Sequence, residues 1–294
     1  MSSPTEVLLI TASIEIGKTR DVAIRDRLER QRQYLQGLVA WITLTDLPTI
    51  VFCENTNSSY DFTQIIEFAR ARNKTLEVLV FGGNQKAQTR GKGYGEGEIV
   101  AYAMKNSHYL SRSQSFYKIT GRLFVQNFEQ VHQVNDHLPN VFKSPAFSPP
   151  LDPFASLVRP EASSWLGKVR AVLRYLYVFF GRGRGRGPHD YQKHTSTVFY
   201  KCSVPFFKKN LLNSYQRVNE PKSYVLEHVI YEDLVGKNLS QFLVQPEIVG
   251  RSGSTGIFYD GLDYSAEIKS LAEEFMPVKH PVNATDTNWI NQAI

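Results

Sequence analysis

Cations set beside glycine are the chemically suggestive pattern in this chain. In Thr89-Arg-Gly-Lys-Gly-Tyr-Gly-Glu-Gly97, Arg90 and Lys92 sit among glycines at 91, 93, 95 and 97. Such a backbone can approach a ligand closely, and a helix N-terminus just beyond it attracts anions. In Tyr117-Lys-Ile-Thr-Gly-Arg122, two-residue alternation puts Lys118, Thr120 and Arg122 on one strand face. Gly121 there marks close approach by another backbone or by a ligand. Arg251-Ser-Gly-Ser-Thr-Gly256 adds a cation, the hydroxyls of Ser252 and Ser254, and backbone N–H groups. Together these segments suit a diphosphate held without a metal; solvated loops are the competing reading.

Carboxylates complete the inventory. Glu54 and Asn55 close the second apolar run, where an α/β sheet presents groups to a ligand, and a carboxylate there suits a ribose or a base. Strand ends also cap turns, which is the plainer role. Glu227-His228 lies on an amphipathic segment, with Tyr231 one turn after Glu227. Either side chain could serve as the base for an acceptor hydroxyl, Glu227 first and His228 second. A solvent-exposed carboxylate is the alternative.

The same residues argue against some chemistry and leave other chemistry open. Ala12-Ser-Ile-Glu-Ile-Gly17-Lys18-Thr19 matches a loose P-loop and keeps a nucleotide-dependent phosphotransferase in play. Its interior holds two isoleucines and a carboxylate, a poor cradle for phosphate. No glycine follows the first strand directly, so a dinucleotide fingerprint is missing. The seven histidines contain no His-x-x-x-His pair, and no Asp-x-Asp closes a strand. Neither a metal nor a cofactor is expected.

Groups so far apart in the chain need a scaffold that brings them together. Val7–Ala12, Thr49–Cys53, Leu76–Phe81 and Phe116–Val125 read as strands, the first a continuous apolar run suited to a parallel sheet. Helices are expected at about 21–41, 62–70 and 97–106 between them. Further on come a strand at 195–203, helices at 206–217 and 221–235, and a late strand near 242–249. Strand–helix alternation predicts an α/β fold, a mostly parallel sheet flanked by helices. Regularity breaks after residue 130, and a Pro/Arg/Gly-rich insertion over 131–191 interrupts a single domain spanning 1–294.

The net charge of +6 over 294 residues is modest, and six of the 34 basic residues fall between Lys168 and Arg186. Nucleic acid is therefore not the expected partner, although a non-catalytic membrane- or RNA-binding module stays open. Trp165, Leu166, Val169, Leu173 and Tyr177 recur at helical spacing beside Lys168, Arg170 and Arg174, and Arg182, Arg184 and Arg186 follow. A basic amphipathic segment over 165–188 suits an anionic membrane surface, with packing on its own core or a second subunit as the competing reading. Two cysteines, no basic leader and no long apolar run predict a cytoplasmic protein, peripheral at most to the inner face of the cell membrane.

In their order, Glu54-Asn55, Gly91-Lys-Gly-Tyr-Gly-Glu-Gly-Glu98, Tyr117-Lys-Ile-Thr-Gly-Arg122, Leu226-Glu-His228 and Gly250-Arg-Ser-Gly-Ser254 resemble bacterial capsule and lipopolysaccharide glycosyltransferases. The likeness covers about 5–130 and 192–258. It implies a GT-A-like, Rossmann-like fold and a nucleotide-diphosphate sugar donor, with a glycan or lipid-linked acceptor. Lys118 to Arg122 stands where that fold usually has Asp-x-Asp, which implies metal independence. On this reading Glu54 and Asn55 hold the nucleoside, Arg90, Lys92, Lys118, Arg122 and Arg251 the diphosphate, and Glu227 acts as base.

Overall fold

In the computed structural model, which describes residues 6–17, 19, 22–143 and 194–277, the apolar run Val7–Ala12 forms strand β1 and is buried throughout. The strands that follow are β2 (Thr49–Glu54), β3 (Thr75–Val80), β4 (Ser115–Thr120), the short β5 (Phe124–Val125), β6 (Phe199–Ser203) and the short β7 (Ile248–Val249). β1 is central because it has a parallel neighbour on each side, β2 and β4. β3 continues the parallel set beyond β2, and β6 closes the other edge antiparallel to β4, giving the order β3-β2-β1-β4-β6. β5 and β7 pair separately.

The helices are α1 (Arg27–Thr43), α2 (Thr63–Arg70), α3 (Ala87–Arg90), α4 (Lys92–Asn106), α5 (Phe128–Asn135), α6 (Val204–Asn210), α7 (Leu226–Leu234) and α8 (Ala266–Glu273). Alternate residues of β1 feed two cores, because side chains in a strand point to opposite faces. Leu8 and Ile10 pack with Leu35, Leu38 and Ile42 of α1. Val7 and Leu9 pack with Ile99, Ala103 and Met104 of α4. The α/β architecture with helices on both faces is as expected, and so are the bounds of β1.

Several boundaries differ from the sequence reading, each for a local reason. α1 starts at Arg27 rather than near 21, because Asp26 caps it by accepting from the Glu29 N–H at 2.7 Å. The glycine-rich stretch is helix, not loop, over most of its length. β4 stops at Thr120, where Gly121 turns and donates its N–H to the Thr11 carbonyl at 2.8 Å. The expected strand over 242–249 shrinks to Ile248–Val249, since Pro246 cannot donate to a ladder. Residues 131–135, expected to open the irregular insertion, belong to α5, which starts at Phe128. Most of the insertion over 131–191, including Trp165, Lys168, Arg170, Arg174, Arg182, Arg184 and Arg186, lies outside the described residues.

A buried ionic cluster pins the amino-terminal end of the sheet. Lys201, 1% exposed, pairs with Glu6 at 2.6 Å and donates to the Asp136 carbonyl at 2.8 Å. His132 Nδ1 lies 3.1 Å from the other Glu6 oxygen. Its bond to Glu6 raises the His132 pKa. Burial pushes Glu6 up, but bonds from His132 and Lys201 outweigh it and the net shift is down. The histidine's contribution is therefore complete below a pH of about 6.5 and lost as pH rises through its folded value; that of Glu6 is complete above about 4.3 and lost as pH falls. The replacement His132→Asn is expected to cost at most about 1 kcal/mol near pH 5.5 and less at pH 8.5. Urea unfolding at the two pH values tests this, and an equal cost at both removes the charge from the account.

Candidate active site

Strand order reverses between β1 and β4: the chain passes from β1 outward to β2 and β3, then returns to the other side. Crevices in open α/β sheets form at the carboxyl ends of the strands at such a switch point. A cleft of about 150 Å3 lies there, floored by Thr11, Ala12, Ser13 and Thr120. Arg30 and Tyr34 come from α1, Lys92 and Glu96 from α4, and Glu227 from the first turn of α7. Arg122 enters just beyond β4, and the hairpin after β7 supplies Ser252, Gly253, Ser254 and Tyr259.

Of the residues singled out from the sequence, the cleft gathers Lys92, Arg122, Glu227, Ser252 and Ser254. Lys92 Nζ donates to the Ser254 hydroxyl, so α4 and the hairpin meet through a cation and a hydroxyl. Among the described residues the Glu227 carboxylate accepts one long bond, from the Thr197 hydroxyl at 3.4 Å. His228, next in the chain, does not line the cleft. Arg251 lies against the Phe258 ring, 4.5 Å from its centroid, and lines a neighbouring cavity instead. Arg90 is turned away, its Nε donating to the Val218 carbonyl at 2.8 Å.

Lys118 stands behind the cleft and is 1% exposed. Its ammonium group pairs with Glu96 and donates to the Thr197 carbonyl at 2.6 Å and to the Thr120 hydroxyl at 3.2 Å. Glu96 also accepts from Thr120 at 3.0 Å. Lys118 thus fixes a cleft carboxylate rather than presenting its own charge.

Glu54 and Asn55 are wholly buried and occupied. Glu54 accepts N–H bonds from Ile14 at 3.0 Å, Thr56 at 2.9 Å and Ser58 at 3.1 Å. Asn55 accepts from the Ser13 hydroxyl at 2.6 Å. Both tie the loop after β1 to the loop after β2, and neither lines the cleft. The P-loop alternative fails on the same geometry. The Ser13, Ile14 and Glu15 N–H groups point at the Tyr34 hydroxyl, the Glu54 carboxylate and the Thr56 hydroxyl. Lys18 of that motif lies outside the described residues; among these, the next helix begins at Arg27, eight residues beyond Thr19, so none of them sets a helix N-terminus directly behind the loop to face a phosphate.

The expected anion site at the start of α4 is also filled from within. Glu220 accepts from the Lys92 N–H at 3.1 Å and the Gly93 N–H at 2.7 Å. Burial raises the Glu220 pKa, partly offset by those bonds. The glycines of α4 serve packing: a Cβ at Gly93 would lie 2.9 Å from that of Leu226, and one at Gly97 would overlap Tyr215.

Sequence reasoning missed Arg30, Tyr34, Glu96 and Tyr259. Arg30 is one of several arginines in the segment 25–32, a composition that reads as a solvated face, yet it is 3% exposed. Its spacing of four from Tyr34, a core-facing residue, is the signal that places it inward. Glu96 falls between two glycines in a helix whose start was placed too late.

No protein-family model matches the chain, and no curated protein sequence does. Among solved structures it is similar to a Bacillus anthracis protein described as a glucose-1-phosphate thymidylyltransferase, at 9% identity over 91% of this chain and 95% of that one, with a TM-score of 0.45. It is similar to TarS of S. aureus at 12% identity and a TM-score of 0.39, over 82% of this chain but only 35% of TarS. The mannosyltransferase Ktr4p from S. cerevisiae matches at 12% identity over 82% of this chain and 69% of that one, with a TM-score of 0.37. Likeness at this level fixes neither family nor activity.

The packing of α4 against the segment around Tyr215 gives a direct expectation. The new methyl of Gly97→Ala would overlap the Tyr215 Cβ, which no rotamer change moves away, and should destabilise the fold by about 1–3 kcal/mol. Urea unfolding measures this; an unchanged midpoint would mean the contact is loose.

Proposed function

We propose that this protein is a glycosyltransferase that moves a sugar from a nucleotide-diphosphate donor to a glycan or lipid-linked acceptor without a metal. The observation that carries the reading is the cleft at the β1/β4 switch point, which gathers cations, hydroxyls and carboxylates. Arg122, Lys92, Ser252, Ser254, Glu96 and Glu227 all line it. In the reaction the bond from the anomeric carbon to the diphosphate oxygen breaks as the acceptor oxygen bonds to that carbon. Charge grows on the departing diphosphate, and fixed cations in a partly water-excluded cleft stabilise it there. Glu227 takes the proton of the acceptor hydroxyl. Glu96, held by Lys118 and Thr120, orients the acceptor. Glu54, Asn55, Arg90 and Arg251 are left out of the donor contacts, because none of them lines the cleft.

Thermal unfolding with UDP, GDP, CMP or ATP, each in chelator and then in manganese, tests the donor class. A rise with UDP or GDP in chelator is expected; a rise with ATP alone overturns the reading. Glu227→Gln should lower turnover by about 10²–10⁴-fold while leaving nucleotide binding in place. Turnover within a few-fold of the native protein would remove Glu227 as the base.

The basic amphipathic sequence over 165–188 supports the further proposal that the enzyme works at an anionic membrane, where a lipid-linked acceptor would reside. Flotation with phosphatidylglycerol vesicles should be lost on deletion of 165–187. Equal flotation of both proteins, or of neither, would sink this part.

A further inference from the structure

Two buried guanidinium groups converge on the cleft, and neither is bonded to a carboxylate. Arg30 is 3% exposed and Arg122 5%, and neither enters an ion pair among the described residues. Their guanidinium carbons stand 5.7 and 5.6 Å from the centroid of one ring, that of Tyr34. Arg30 donates only to neutral oxygens: from Nε to the Ser13 and Ile14 carbonyls at 2.9 and 3.2 Å, from Nη1 to the Ile24 carbonyl at 3.0 Å, and from Nη2 to the Ser13 carbonyl and to the Tyr34 hydroxyl, the latter at 3.1 Å. Arg122 donates from Nη1 to Gln33 at a long 3.4 Å, and its Nε has no partner among the described residues.

Neutral acceptors satisfy N–H groups but do not cancel charge. A buried ion without a counter-ion costs several kcal/mol, and here two such ions repel each other. Burial holds Arg30 below the ordinary arginine pKa, and the charge of Arg122 adds to that shift. Glu54 is the carboxylate whose field reaches Arg30. Its oxygens are already bonded to backbone N–H groups outside the cleft. Among the described residues three cations, Arg30, Lys92 and Arg122, line the cleft against two carboxylates, Glu96 and Glu227, and Glu96 is already paired with Lys118. Positive charge is therefore in excess. The hydroxyls of Ser252 and Ser254 line the same cleft as further polar groups.

We propose that Arg30 and Arg122, held beside Tyr34, form a preformed site for a doubly charged phosphoryl group that binds without a divalent cation. Two guanidinium charges match two negative charges. The planar fork of Arg122, with Nε unpartnered among the described residues, suits phosphate oxygens, while Arg30, most of whose N–H groups are bonded, contributes chiefly its charge. A carboxylate brings one charge and two oxygens, and fits less well. The site rests on the nucleotide-sugar reading only for the identity of the larger ligand. In that reading it receives the phosphate that departs with the nucleotide, and Arg30 becomes a donor-binding residue.

The test uses the full chain and inorganic probes. Calorimetric titration in chelator at fixed ionic strength should show pyrophosphate binding more tightly than phosphate, and acetate not at all. Arg122→Gln should weaken pyrophosphate by about tenfold or more, and Arg30→Gln likewise wherever near-ultraviolet circular dichroism shows it folded. Gly253→Ala is the variant that keeps every charge: its new Cβ overlaps Arg122 Nη2 and displaces the guanidinium group. It should weaken pyrophosphate by a similar factor. Pyrophosphate binding that requires manganese, or that is unchanged in both Arg122→Gln and Gly253→Ala, overturns the site. If UDP or GDP binds equally well to those two variants, the donor reading survives and this site does not. Pyrophosphate bound as described, with no nucleotide bound, leaves the site standing and sinks the donor.

Discussion

Gly121 gives its N–H to the Thr11 carbonyl at 2.8 Å just as β4 ends, and α1 descends on that turn at Gly37. A Cβ at Gly37 would lie 2.6 Å from the Gly121 carbonyl oxygen, and one at Gly121 would overlap that of Thr11. Only two residues without side chains let helix and strand end approach so closely. That approach sets the height of α1 above the sheet. Arg30 and Tyr34 lie two turns and one turn before Gly37, and so fall over the carboxyl end of β1. Arg122 follows Gly121 directly and arrives from the other side. The convergence of Arg30 and Arg122 on Tyr34 is thus a result of backbone contact, with the charged side chains carried along.

The position of Glu96 depends on charge in place of close packing. Lys118 is buried on β4 and would be untenable alone, so Glu96 of α4 and the Thr197 carbonyl hold it. That places one carboxylate at the cleft in a fixed position. Glu227, bonded only weakly to Thr197, is the freer of the two. The two acids therefore differ in mobility, one locked and one able to follow a reacting group.

The scaffold was readable because apolar runs dictate buried strands: Val7–Ala12 is β1 to the residue. The site was readable only in part. Lys92, Arg122, Glu227, Ser252 and Ser254 stood out by type and do meet. Glu54 and Asn55 stood at a strand end, as ligand-contacting residues do, yet the loop after β1 folds back and takes up both side chains. No local pattern shows where a distant loop's N–H groups will point. The glycines at 93 and 97 looked like a flexible cradle, but their partners, Leu226 and Tyr215, lie more than a hundred residues away. Arg30 was hidden by company, one arginine among several with a different neighbour.

The chain leaves the described core at Lys143 and re-enters at His194, and these two ends are stitched together. Val141 exchanges backbone hydrogen bonds with Lys201 at 2.8 and 3.0 Å, and Ser196 donates to the Lys143 carbonyl at 2.8 Å. Whatever joins the two ends enters the fold through one fixed gateway. The positions at which the chain leaves the sheet and returns to it are therefore set by hydrogen bonds of the core itself, so the two ends stay a strand-spacing apart.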